Sequence, residues 1–292
     1  MGDLVIHILN ALLYSSVLFL IAGGLSLIYG VMRILNLAHG NLYALGAFST
    51  AWAIGLAANA GLPTAVLFVL LPAGAIVAAL VGALIEGTLL RPFYKRPEEY
   101  QLLMTFGLLM ILEDVIRFIW GPTPLSATNV YAALGSLEIG DSRYPTYNVV
   151  VIAVGAIAAV FLWAFIYRTR FGVLLRATSQ DKRMASALGV NVNRVYLQAF
   201  TLGCFMAGLG GAIVVPSQSA VLGMGVDALV LAFIVVVIGG LGSLEGALAG
   251  ALVVGVVREA GITFFPEVEL AVLYFIAAFV LLIRPAGLFG RA

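Results

Sequence analysis

The chain has 292 residues, 63% of them hydrophobic and 10% charged, with a formal net charge of +1. Soluble domains carry roughly 45–50% apolar and about 25% charged residues, so most of this chain belongs in lipid, and its charge gives no ground for binding nucleic acid. A single cysteine, Cys204, and two histidines, His7 and His39, exclude an internal disulfide, a thiolate metal cage and a histidine cluster.

The first thirty residues lack the basic start of a secretory signal. Their apolar stretch is too long for a signal core, so they read as a retained span. A helix crosses the ~30 Å hydrocarbon layer with about 20 apolar residues. Candidate spans fall at 8–32, 41–59, 64–90, 101–120, 147–167, 194–215, 227–241, 243–264 and 268–284, giving eight or nine membrane segments. The seventh is short and Gly-rich toward its end, and is a candidate broken or re-entrant element. Continuous apolar runs do not alternate as barrel strands do, so the expected fold class is all-α, a polytopic transmembrane helix bundle.

Between the first two spans, Asn36 to Asn41 reads N-L-A-H-G-N. It fits a turn between spans, or an unwound break lining a cavity where irregular backbone is tolerated. His39 could be a capped turn histidine, a substrate hydrogen-bond partner or a proton-sensitive group. Pro72 kinks the third span, for packing or as a gate. Glu86, near Arg91, reads as an end charge snorkelling to the interface. Late in the fourth span, Glu113 and Arg117 form an i,i+4 pair beside Asp114. The connection 121–146 is rich in turn formers and either docks a partner or caps the bundle.

The loop 168–193 carries the clearest local pattern. Ser179 is placed to cap a short helix with Asp181 in its first turn. Met184 and Leu188 form an i,i+4 apolar stripe, with Lys182, Arg183 and Ser186 off it. Gly189 is placed to end the helix in the left-handed conformation, and Asn193 to cap the next span. The resulting short amphipathic helix, held against the cytoplasmic face, either lies among anionic headgroups or fits a groove on a cytoplasmic motor.

Lipid supplies no hydrophobic drive between helices, so small residues mark contacts. Gly203, Ala207 and Gly211 show the small-xxx-small spacing, and Gly242, Gly246 and Gly250 repeat it. Both runs read as close packing or as a sliding surface. Arg258 and Glu259 are adjacent, point in different directions, and need partners from other helices.

Lys and Arg cluster in the loops at 91–96 and 168–194 and in the tail at Arg284 and Arg291, while the opposite connections hold only Arg143. The basic loops and the C-terminus therefore face the cytoplasm, and with nine crossings the N-terminus faces outward. No G-x-x-x-x-G-K-[ST] loop occurs, so ATP is not hydrolysed by that route. No mid-span carboxylate chain, HExxH or GxSxG pattern occurs either.

Three blocks carry a family resemblance: GGLSLIYGVMRILNLAHGNLYALGAF at 23–48, RATSQDKRMASALGVNVNRVYLQAFTLGCFMAGLGGAI at 176–213, and GGLGSLEGALAGALVVGVVREAG at 239–261 followed by the R-P-x-G-L-F-G tail. The chain resembles the LivH-type permease subunits of ABC importers for branched-chain amino acids. Asn36-Leu37 stands where that family often has Asn-Phe, a small departure.

The resemblance implies a type II importer-like permease, one domain over 1–292 with a coupling-helix loop at 168–193, in the bacterial inner membrane. It implies a second related permease subunit as a heterodimer partner, two cytoplasmic ATP-binding subunits and an extracytoplasmic substrate-binding protein, with no cofactor in this chain and no catalysis by it. It places Arg176, Ser179, Asp181, Lys182, Met184, Leu188 and Gly189 against an ATPase, and Asn36, His39, Asn41 and Tyr43 near the translocation path. The rival class is an ion- or proton-coupled secondary transporter, for which Arg258, Glu259 and His39 are the available groups. A passive channel lacks a charged ring or filter.

Overall fold

Backbone in lipid must satisfy its hydrogen bonds internally, and continuous apolar sequence does so as helix. The computed structural model describes residues 2–140, 142–264, 266–284 and 286–290. Arg291, assigned above to the basic tail, and Pro285 of the tail motif lie outside the described residues. The order is α1 (Gly2–Met32), α2 (His39–Asn59), α3 (Thr64–Val69), α4 (Ala73–Ile85), α5 (Glu98–Trp120) and α6 (Thr128–Ala133). The strands β1 (Ser136–Ile139) and β2 (Ser142–Pro145) follow, then α7 (Thr146–Arg168), α8 (Arg170–Gln180), α9 (Lys182–Ala187), α10 (Val192–Val214), α11 (Met224–Gly239), α12 (Leu244–Phe264) and α13 (Glu269–Ile283). The fold is an all-α bundle with one small antiparallel hairpin, Ser136 opposite Pro145 and Ile139 opposite Ser142. Among the described residues, five helical segments are long and apolar enough to cross a membrane, at 2–32, 64–95, 146–168, 192–214 and 244–264. The chain is a multi-pass membrane protein. One end of the bundle carries the basic loops and α8–α9 (the basic end), and the other carries α6 and β1–β2 (the hairpin end).

α10 is the most enclosed span and packs on α1, α2 and α4. Glycines make this possible. Gly203 lies against Gly24 and Ile28 of α1, and Gly208 against Ala75 and Ala78 of α4. A Cβ on Gly211 would stand 2.0 Å from the Tyr43 carbonyl oxygen of α2, so no side chain fits there. Of the later glycine run, Gly246 and Gly250 pack α12 on Gly239 and Val235 of α11. Gly242 does not share that helical face. It sits in the α11–α12 turn with φ 79° against Gly30, because the G-G-L-G sequence stops one helix before the next begins at Leu244. All these contacts join helices of this one chain.

Two spans are interrupted. α1 stops at Met32, and Arg33 takes φ 57°, the one non-glycine with positive φ among the described residues. The chain then runs back without helix until His39. The third span is interrupted by a turn at 70–72, between α3 and α4, where Pro72 was expected to kink it. Thr50 repairs the break: its Oγ1 donates to the Leu71 carbonyl at 3.3 Å and accepts from the Gly74 N–H at 3.2 Å. A neighbouring hydroxyl thus supplies partners to backbone groups on either side of Pro72. The seventh segment, by contrast, is an intact 16-residue helix; the irregular stretch is 215–223, just before it, where Ala220 pairs with Leu125.

Glu86 is not a snorkelling charge. It is fully buried at the start of a π-helical turn, Glu86–Leu90, accepts from Arg91 Nη2 at 3.2 Å and also accepts from the Tyr94 hydroxyl. Burying a carboxylate requires such partners. Nor do Glu113 and Arg117 pair. Glu113 caps the Gly223 N–H at 2.8 Å, while Arg117 approaches Asp114 at 3.9 Å. Helical spacing allowed both pairings, and the proximity of 215–223 selected this one.

Candidate functional site

The basic-end loop folds into two helices rather than one. Thr169 caps α8, its Oγ1 accepting from the Gly172 N–H at 3.1 Å. Arg176 turns back to the α7–α8 corner, donating to the Ile166 carbonyl with its guanidinium 5.2 Å from the Tyr167 ring, so it does not share the outer face of α9. Ser179 is not the cap expected from sequence. It lies in the last turn of α8 and donates to the Arg176 carbonyl. Asp181 is the cap of α9, accepting from the Arg183 and Met184 N–H groups at 2.8 and 3.0 Å, since its carboxylate reaches two free amides and complements the helix dipole. Asn191, not Asn193, caps α10 by accepting from the Arg194 N–H.

Gly189 ends α9 as its position predicted. With φ 86°, its N–H donates to the Ser186 carbonyl and the Val190 N–H to the Ala185 carbonyl, both at 3.0 Å. That pair of bonds is the Schellman cap. The helix is therefore fixed at both ends although it is only six residues long. Its stripe faces away from the protein: Met184 is 58% and Leu188 78% exposed, while Ala185 is the side chain buried against the bundle. Lys182 and Arg183 are exposed beside them.

At the hairpin end, α1, α7, α10, α11 and α12 enclose a cavity of about 680 Å³. Its rim includes His7, Tyr131, Ser219 and Thr263, and its walls include Val17, Val151, Ile213 and Leu231. Glu259, nearly buried, accepts from His7 Nδ1 at 2.8 Å and from Asn10 Nδ2 at 3.1 Å. Arg258 lies with its guanidinium 4.6 Å from the centre of the Tyr14 ring. The adjacent pair on α12 thus meets groups of another helix, α1. Asp227, in the first turn of α11, also lines the cavity.

The cavity floor holds Ile21 and Tyr43. Directly behind it is the break at 33–38. His39 Nε2 donates to the Ile21 carbonyl at 3.1 Å, and Asn41 Nδ2 donates to the Leu109 carbonyl at 2.6 Å. Both acceptors lie well inside their helices, so α2 starts at depth and not at a surface turn. Asn36, His39 and Asn41 are fully buried. Both Asn36 amide atoms, His39 Nδ1 and Asn41 Oδ1 have no hydrogen-bond partner among the described residues. Of the four residues expected near a path, Tyr43 alone lines the cavity; the other three form a buried polar layer beneath it.

Sequence reading missed Asp227, Asn148, Gln218 and Tyr14 as cavity residues. The rule that flags ionisable residues at membrane depth found Arg258 and Glu259. Asp227 escaped it because it opens a short apolar helix, where a first-turn carboxylate already has a dipole explanation.

The sequence model of the family described as "Branched-chain amino acid transport system / permease component" matches residues 7–283. The branched-chain amino acid permease protein BraD of Pseudomonas aeruginosa is 30% identical, the alignment covering 98% of this chain and 95% of that one. LivH of Salmonella typhimurium is 28% identical over 97% and 94% of the two chains. The solved structure of PsaBC from Streptococcus pneumoniae in complex with Fab matches with a TM-score of 0.50 at 18% identity, covering 95% of this chain and 90% of that one, a likeness of fold alone.

Proposed function

Since this chain belongs to the branched-chain amino acid permease family and is a non-catalytic permease component, we propose that it forms half of the translocation path of a binding-protein-dependent ABC importer for branched-chain or related hydrophobic amino acids. A second, related permease subunit supplies the other half. Two ATP-binding subunits dock at the basic end, which faces the cytoplasm together with the C-terminus, in the bacterial inner membrane. A loaded extracytoplasmic binding protein docks at the hairpin end.

The observation that supports this reading best is α9. An isolated six-residue helix is not stable in water, yet this one is capped at both ends and presents two apolar side chains outward. Such anchors are what a partner's groove takes up. ATP-driven closure of the motors pushes α9, and α10, joined to it through the Asn191 cap, carries the displacement to α1, α2 and α4. Glycine contacts make those four helices a close-packed unit that moves together. The experiment is co-purification of the ATP-binding subunits with a Met184→Asp/Leu188→Asp chain. Loss of the ATPases from a chain that remains folded is expected; full retention of both recruitment and uptake would sink the coupling role.

A further inference from the structure

Two exposed stripes meet at the α7–α8 corner. α7 is one of the membrane-crossing segments. Ile157, Phe161 and Arg168 are exposed on it at i, i+4 and i+11, which is one side of a helix. Arg170 opens α8, and Val173, Leu174 and Ala177 follow at i+3, i+4 and i+7, again all exposed. The other side of α8, with Gly172, Leu175 and Thr178, is buried. α8 thus packs one face on the bundle and still shows an apolar stripe outward, just past the end of a span. The corner also lies at headgroup level. Trp163 and Tyr167 stand in the last turns of α7, and such amphipathic rings collect where hydrocarbon meets water. The Arg168 guanidinium rests 5.4 Å from the centre of the Trp163 ring, a contact that leaves its charge in place. Neither Arg168 nor Arg170 has an ion-pair partner among the described residues. One carboxylate reaches the corner: Glu245 of α12 accepts from the Tyr167 hydroxyl at 2.6 Å and pairs with neither arginine. With Arg176, three arginines against one carboxylate leave the corner positive. Arg91, by contrast, is answered within the chain by Glu86.

We propose that the α7–α8 corner is a binding site for an anionic phospholipid of the leaflet at the basic end. Arg168 and Arg170 take the phosphate of the headgroup, which a guanidinium matches with paired N–H donors. The acyl chains lie along Phe161 and Ile157, and Val173 and Leu174 rest at the boundary of the hydrocarbon. Charge and apolar surface point to the same occupant. A free anion leaves the α8 stripe in water, and a zwitterionic lipid brings a cation of its own to a corner that is already positive. An anionic lipid answers both features at once. The assignment separates α8 from α9: the first helix is seated in lipid, and the second, beyond the Asp181 cap, is left for a protein. It requires only that the chain spans a membrane, so it stands or falls apart from the importer reading.

The test places a photoreactive benzoylphenylalanine at Leu174 of the full chain, purified with its partner subunits. The vesicles are phosphatidylcholine with about a quarter phosphatidylglycerol, and adducts are identified by mass spectrometry after irradiation. Phospholipid adducts are expected to dominate, with phosphatidylglycerol enriched about fivefold over its share of the bilayer. Arg168→Gln/Arg170→Gln returns the adducts to the bilayer ratio. Arg168→Lys/Arg170→Lys keeps the enrichment, and so does Arg143→Gln at the hairpin end. Should the glutamine pair not fold, salt at about 1 M, where the Debye length is about 3 Å, abolishes the enrichment in the unsubstituted corner. Adducts chiefly with another protein chain overturn the site, because a subunit then covers α8. Adducts at the bilayer ratio overturn it as well, as does enrichment that survives the glutamine pair or the added salt. Loss of enrichment on adding inorganic phosphate at matched ionic strength overturns it too, since the arginines then hold a free anion.

Discussion

The two ends of the molecule are built on different principles. At the basic end, function is carried by a short run of consecutive residues: cap, stripe and left-handed glycine all fall between Asp181 and Gly189. At the hairpin end, it is carried by residues brought together from α1, α7, α11 and α12, more than two hundred positions apart in the His7–Glu259 contact. The first arrangement exposes apolar side chains to a partner; the second hides charges from lipid. A local device is suited to catching a moving subunit. A convergent one is suited to enclosing a solute.

That contrast can be broken from either side. The largest effect is expected from Met184→Asp/Leu188→Asp. With two anchors each worth about 2 kcal/mol, transport assays on proteoliposomes should show uptake reduced at least about 100-fold, while the melting temperature stays unchanged, because neither side chain is buried. Next, Glu259→Ala removes the acceptor shared by His7 and Asn10. It should cost about 1–2 kcal/mol, read in a thermal scan as a fall of about 5 °C, with ATPase recruitment intact. Asp181→Ala removes two capping bonds from α9 and should cost about 1 kcal/mol locally, seen as roughly fivefold faster amide exchange at Arg183 and Met184. Ser179→Ala should change neither exchange nor uptake beyond about 0.5 kcal/mol, because that hydroxyl bonds within α8 and caps nothing.

The pair Ser179 and Asp181 also shows what could be read from the chain alone. That a capped helix ends at Gly189 was legible, because turn chemistry and left-handed glycine are local. Which of two neighbouring residues caps it was not: α8 continues through Gln180, held by its own cap at Thr169, and so passes Ser179 before the chain turns. The apolar stretches were legible for the same local reason, and helices occupy them. An i,i+4 stripe shows that α9 has an apolar face; how far Met184 and Leu188 stand clear of the bundle emerged only with the fold. Gly242 was misplaced because spacing continues through a turn that ends the helix. The cavity was nearly invisible. Asp227, Asn148 and Gln218 lie on separate elements, and no spacing within the sequence reports which helices meet. Arg258 and Glu259 gave the one usable signal, the cost of charge at membrane depth, and their partners on α1 emerged only with the fold.

The measurement that bears most directly on the central claim is L-leucine accumulation in proteoliposomes by this chain alone and by the assembled complex with its binding protein. The account predicts no accumulation by the chain alone under an imposed proton or sodium gradient, and accumulation by the complex only when ATP is supplied on the side of the basic loops. Gradient-driven accumulation by the isolated chain would contradict it and establish a self-sufficient secondary transporter instead.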